Sequence, residues 1–182
     1  PIDSIRWALK TPNIVRWYAQ NAIHDHPDLI PIPIGLENHW GNQKGPYTDH
    51  EWISNNVDRL KDNPKNKDIV YCNWNVQNNI SARSGILEIL SKNGIKYKWG
   101  AEGGRKTYHQ FCEDLSQHFF AICPPGNGVD THQIWEAMYL GVVPIVKKHQ
   151  IYSNMEDLPM IQVNDWNEVN QDLLDSYDPN NY

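Results

Sequence analysis

Between Phe119 and Val146 the chain reads as an apolar strand, a loop rich in Gly and Pro, an amphipathic helix, a glycine stop and a second apolar strand. The two flanking runs, Phe119-Phe-Ala-Ile-Cys and Val142-Val-Pro-Ile-Val, show no polar alternation. A strand of that kind must be covered on both faces, as in a parallel sheet. The helix between them is the crossover that a parallel pair requires, and such crossovers are right-handed. The fold class rests on the repetition of this alternation along the chain and not on this one unit.

The same alternation recurs on either side. Ile69-Val-Tyr-Cys reads as a strand, and Ser81 to Lys92 as a helix carrying Ile86, Leu87, Ile89 and Leu90, with Gly94 as its stop. Ile95 to Trp99 reads as a strand and Thr107 to Gln117 as a helix. Thr131 to Leu140 is a helix that Gly141 ends; Met160-Ile-Gln-Val is a strand, and Trp166 to Leu174 a last helix. The expected fold is α/β, a Rossmann-like parallel sheet with flanking helices. The front of the chain is different. Asn13 to Ala19 and Leu29 to Gly35 read as extended, and Pro31 and Pro33 keep the second off a central ladder position. Residues 37–50 read as loop and 51–61 as a modest helix. The expected division is therefore 1–38 as a connecting piece and 39–182 as the Rossmann-like domain.

Composition narrows the function classes. With 16 Lys+Arg against 22 Asp+Glu the net charge is −6. Nucleic-acid binding by counterion release needs a basic footprint, so it is not expected. No apolar run approaches the roughly 20 residues that span a bilayer, and no membrane contact is expected from this segment. An apolar share of 40% excludes wholesale disorder. Cys72, Cys112 and Cys123 have no C-x-x-C spacing and read as small buried hydrophobes. The absence of a disulfide framework and the excess of Asn favour a cytoplasmic over a secretory setting. Asn79-Ile80-Ser81 is a lone glycosylation sequon and decides nothing.

The chemistry concentrates in the loop Pro124 to Val129. Gly126 and Gly128 allow positive φ and close approach of a ligand. Asp130 and Gln133 have capping-box spacing, with Asp130 as N-cap. Free N–H groups at this helix start would face an anion at the carboxyl edge of the sheet. Glu136, among Ile134, Ala137, Met138 and Leu140, needs a polar partner; the two hydroxyls of a ribose would serve, as would a backbone amide or solvent. His132 lies in the first turn, near a phosphate position. The G-x-G-x-x-G dinucleotide fingerprint is absent.

The segment Cys123-Pro-Pro-Gly-Asn-Gly-Val-Asp-Thr-His-Gln-Ile-Trp-Glu-Ala-Met-Tyr-Leu-Gly-Val-Val-Pro-Ile-Val resembles the donor-binding motif of exostosin-like (GT47-type) glycosyltransferases, the C-terminal half of GT-B enzymes. Trp17-Tyr-Ala-Gln-Asn and His26 to Leu36 look like the segment joining the two halves; Asn73-Trp-Asn with Arg83 looks like the first donor-domain strand with its phosphate-side arginine. The resemblance implies transfer of a sugar, hexosyl or pentosyl, from a nucleoside diphosphate to an acceptor hydroxyl on a glycan, with inversion. It implies that Gly126, Asn127 and Gly128 line the pyrophosphate and Glu136 holds the ribose. Arg83 would offset leaving-group charge, Asn73 would contribute to the donor site, and Asp130 and His132 would lie near the donor sugar. Arg83, Glu136 and His132 are then the catalytic candidates. No metal and no cofactor beyond the UDP- or GDP-linked donor is expected, and the adjacent His24-Asp25-His26 is poor ligand geometry. Gln133 departs from the family's usual basic residue, which puts Lys147, Lys148 and Arg105 forward as substitutes. An acceptor domain is expected upstream of Pro1 and would carry the general base. A base-stacking residue is expected in Ile95 to Trp99 or the loop after it.

Rival readings are a non-catalytic nucleotide-sugar or glycan-binding module, an α/β hydrolase or phosphatase, a nicotinamide dehydrogenase, and an interaction domain presenting Trp7, Trp17, Trp40 and Trp52. The hydrolase lacks a G-x-S-x-G elbow and the dehydrogenase lacks its fingerprint.

Overall fold

Five short strands form one all-parallel sheet in the order β4-β3-β5-β6-β7. They are β3 (Ile69–Cys72), β4 (Lys96–Trp99), β5 (Phe120–Ile122), β6 (Val143–Lys147) and β7 (Ile161–Val163). The computed structural model describes Trp7 and residues 10–37, 49–104, 106–155 and 157–178. The loop reading of residues 37–50 falls largely outside that set, as do the boundary drawn at 38/39, Trp40 and Arg105.

The central strand β5 is buried at all three positions, as a strand covered on both faces must be. One face of the sheet packs on α1 (Asp49–Lys61), α4 (Tyr108–Ser116) and α5 (His132–Tyr139), through Ile53, Leu60, Cys112, Leu115, Ile134 and Ala137. The other face packs on α3 (Ile86–Lys92), a 3₁₀ turn at Trp166–Glu168 and α6 (Gln171–Asp175), through Ile86, Leu90, Trp166 and Leu174. The fold is the expected Rossmann-like parallel sheet. The chain leaves β3 in one direction for β4, then returns across it to β5. The strand order therefore reverses between β3 and β5, where open α/β sheets bind their ligands.

Two helices differ from expectation. The helix read over Ser81 to Lys92 is two pieces, α2 (Ile80–Arg83) and α3. Gly85 takes φ +76° between them, a left-handed turn that no helix can contain. The last helix, read over Trp166 to Leu174, is a 3₁₀ turn followed by α6, with Val169 extended between them. Asp165 and Asn170 each cap a start of their own, so two short helices satisfy more backbone donors than one continuous helix begun at Trp166.

Ahead of the domain, β1 (Trp17–Ala19) and β2 (Leu29–Pro31) pair in parallel, closed by Ala22 and Leu29 against Trp17. Among the described residues this small sheet leaves Trp7, Val15, Tyr18 and Ile23 exposed. Trp52 instead stacks on His109 within the domain, with ring centroids 4.0 Å apart. No described helix is long and apolar enough to cross a membrane. All three cysteines are free and buried, and burial pushes the Cys72 and Cys123 thiols well above their ordinary value, which makes them poor nucleophiles.

Candidate functional site

The loop after β5 lies at the carboxyl edge beside the switch point, and Arg83 holds it there. Arg83 is 8% exposed. Its Nε donates to the Pro125 carbonyl and Nη1 to the Asn75 carbonyl, both at 2.8 Å, and Nη2 reaches toward Pro124 O at 3.5 Å. No ion pair with a carboxylate accompanies it among the described residues. Burial lowers its pKa, but an arginine at such a site stays charged. Among the described residues, then, carbonyl dipoles balance this buried cation, with N–H capacity left over from its five donors. A Cβ on Gly126 would stand 2.7 Å from Arg83 Nη2, so glycine here makes room for the guanidinium. Asn79 reinforces the same contact, since its Nδ2 donates to Gly126 O at 2.8 Å while its Oδ1 caps Ala82. The sequon asparagine is thus tied into the loop.

The far side of the loop is held differently. A Cβ on Gly128 would lie 2.5 Å from the Asn21 side chain. Asn21 sits at φ +49°, a left-handed conformation that Asn tolerates. Its Oδ1 accepts from Asp130 N at 2.7 Å and its Nδ2 donates to Asp130 O at 3.2 Å, so one amide side chain pairs with both backbone groups of one residue as a strand would. Asp130 was expected as the N-cap of α5. That place belongs to Thr131, which makes no side-chain cap bond, and the box with Gln133 does not form. Gln133 instead points Nε2 at Ile122 O, 3.4 Å away. The Asp130 carboxylate is 3% exposed and has better partners than a helix end: Oδ2 accepts from Ile34 N and Oδ1 from Trp135 Nε1, each at 2.7 Å. Burial raises its pKa, while the bonds from Ile34 and Trp135 and the nearby His132 work against that rise.

His132 also faces the residues ahead of the domain. Its Nδ1 lies 2.8 Å from the Gly35 carbonyl and so carries the proton, and Nε2 is 3.6 Å from Glu37 Oε2. Glu136 is 3% exposed and buried beside Tyr108 and Cys123. Burial first, and then the Glu136 charge, drives the Tyr108 hydroxyl far above its usual value. Asn127 is exposed at the loop tip, and Asn73 lines a cleft of about 720 Å³ over the ends of β3 and β4. Lys147 is bound by Asn164 O and Asp165 and lies over the Trp166 ring, and Lys148 is exposed.

The structure therefore brings Arg83, Gly126, Asn73 and Glu136 to one edge. It turns Asp130, His132 and the Gly128 side of the loop toward residues 21–37. The family model of the RXYLT1 C-terminal domain matches residues 55–178. The chain belongs to the RXYLT1 C-terminal domain family. That family is glycosyltransferase-related, and its match spans the whole sheet, the loop, Arg83 and Glu136. The partners that Asp130 and His132 find ahead of the domain, namely Asn21, Ile34, Gly35 and Glu37, lie outside the matched span, whereas Trp135 lies within it. No curated protein matches the chain. Sequence reasoning missed Asn21, Asn79 and Tyr108. A local signal existed only for Asn79, whose spacing before Ala82 is that of an N-cap.

Proposed function

We propose that this chain is the donor-binding half of a GT-B glycosyltransferase, moving a sugar from a nucleoside diphosphate to an acceptor hydroxyl with inversion. Residues 1–38 would be the tail of the acceptor domain and the connecting segment. The family name points to a pentose donor of xylosyl type. The observation that carries the reading is the Arg83 cation, buried at the switch point, without a carboxylate among the described residues, and tied to the glycine loop. A buried positive charge with donors to spare suits a diphosphate.

In the transfer, the bond between the anomeric carbon and the diphosphate oxygen breaks and one to the acceptor oxygen forms. The acceptor proton leaves to a base supplied by the acceptor domain. Negative charge grows on the departing oxygen, and a preorganised cation with loop N–H groups stabilises that charge more than the ground state. Glu136 would accept hydroxyl hydrogen bonds from the ribose and fix the donor's position, which is the proximity part of catalysis. A net charge of −6 is no obstacle, because attraction here is local.

Calorimetry with UDP and GDP tests the site: Arg83→Ala and Glu136→Ala should each weaken binding by about tenfold or more. Unchanged affinity in both variants sinks the assignment. Turnover of isotope-labelled donor by a chain extended upstream separates a transferase from a binding module, which would bind without transfer or hydrolysis.

A further inference from the structure

We infer that Asn79 is a positioning residue for the proposed donor site: it holds the Gly126–Asn127 peptide so that the Asn127 N–H, and not the Gly126 carbonyl, meets an anion at the loop. This rests on the donor reading above and deepens it.

A trans peptide carries its C=O and its N–H on opposite sides. Turning one such unit over exchanges a donor for an acceptor on the side that meets a ligand. Beside a diphosphate the two orientations are opposed in effect, since an N–H attracts the anion and a carbonyl oxygen repels it. The pair Gly-Asn makes the turn-over cheap. It changes ψ of the first residue and φ of the second. Glycine has no Cβ to obstruct the change, and asparagine tolerates a left-handed φ. The loop sequence therefore leaves this choice to a partner outside the loop.

The peptide ahead of it is fixed at both ends. Pro125 O accepts from Arg83 Nε and Gly126 N donates to Gly128 O, each at 2.8 Å. The Gly126–Asn127 peptide has one holder among the described residues: Asn79 Nδ2 donates to Gly126 O at 2.8 Å. The Asn127 N–H, on the other side of that peptide, has no acceptor among the described residues, and Asn127 is exposed.

The holder is itself held. Asn79 Oδ1 accepts from Ser81 Oγ at 3.0 Å and from Ala82 N at 3.2 Å, and its carbonyl accepts from Arg83 N at 3.0 Å. Asn79 caps α2 and Arg83 ends it, so two side chains from one helical turn grip two consecutive carbonyls of the loop. The nitrogen on which a sequon would carry its glycan is the one committed to this bond. The two roles of Asn79 separate chemically. Capping uses Oδ1 and the loop bond uses Nδ2; serine is as good a cap but has no amide N–H.

The test is calorimetry with inorganic pyrophosphate and UDP on wild type, Asn79→Ser and Asn79→Ala, with thermal melting alongside. Serine keeps a cap and alanine does not, so Asn79→Ala should melt below Asn79→Ser. Both variants should nevertheless weaken pyrophosphate and UDP alike, by roughly threefold or more. A smaller loss in Asn79→Ser overturns the inference, because capping alone then suffices, and leaves the donor reading standing. A wild-type chain that binds neither probe overturns both. Where neither variant folds, amide NMR on the wild-type chain decides. Pyrophosphate must shift the Asn127 N–H proton downfield, and an unmoved Asn127 signal overturns the inference.

Discussion

Gly126 and Gly128 stand two residues apart in one loop, and each is glycine for a different neighbour. Gly126 yields its space to Arg83, a residue of the same Rossmann-like domain. Gly128 yields its space to Asn21, a residue of the piece that precedes it. The first contact builds the floor of the proposed donor site. The second clamps residues 21–35 to the start of α5, with Asp130 and His132 as the other jaws. A glycine-rich loop is therefore not one functional object. One side is organised toward the proposed donor site and the other toward the residues ahead of the domain.

Substitutions that separate the two sides test this division. The largest effect is expected at Arg83. Arg83→Ala leaves the Asn75 and Pro125 carbonyls without their donor, which should lower unfolding free energy by about 3 kcal/mol in chemical denaturation. A loss under about 0.5 kcal/mol would mean that the loop does not depend on the guanidinium.

Asp130→Asn comes next. An amide has one acceptor oxygen, so either Ile34 N–H or Trp135 Nε1 loses its partner, at about 1–3 kcal/mol. The pH dependence has a definite sign. The folded pKa of Asp130 is raised, so the folded state binds more protons than the unfolded state just above the ordinary carboxylate range. Stability contributed by this group is full below that range and is lost as pH rises through the folded pKa. Wild type measured against Asp130→Asn should therefore lose its relative advantage with rising pH across that window; a rising advantage contradicts the burial argument.

The smallest effect belongs to Asn21→Gly, which removes the amide without straining the left-handed backbone. A cost of about 1 kcal/mol is expected. Its readout is local: hydrogen exchange should accelerate over residues 17–37 and at Asp130, and stay unchanged at Tyr71 and Ala121. Acceleration spread evenly over the sheet would show that the two sides of the loop act as one.

Much of the fold was legible because strands and helices announce themselves locally. Phe120 to Ile122 and Val142 to Val146 are apolar without alternation, and that requires cover on both faces wherever they lie. The spacing of Ile86, Leu87, Ile89 and Leu90 locates α3 but not its start, which the left-handed Gly85 sets. The site was legible in part for a similar reason. Of the residues proposed for the donor site, Gly126 lies in the loop and Glu136 in α5, and Arg83 reaches the loop from α2, whereas Asp130 and Gln133 have capping-box spacing and make no box.

By itself, then, the sequence determined the α/β class, the crossover units and the loop between β5 and α5, all of which depend on neighbours a few residues apart. Only the tertiary structure decided the strand order, and with it the switch point at β3 and β5. It alone decided what Asp130 does. The carboxylate could have capped its own helix; an amide 96 residues away and an indole one turn on took its oxygens instead. A short polar side chain goes to whichever donors approach it in a dry environment. Which donors those are is a property of the packed chain and not of the spacing around Asp130.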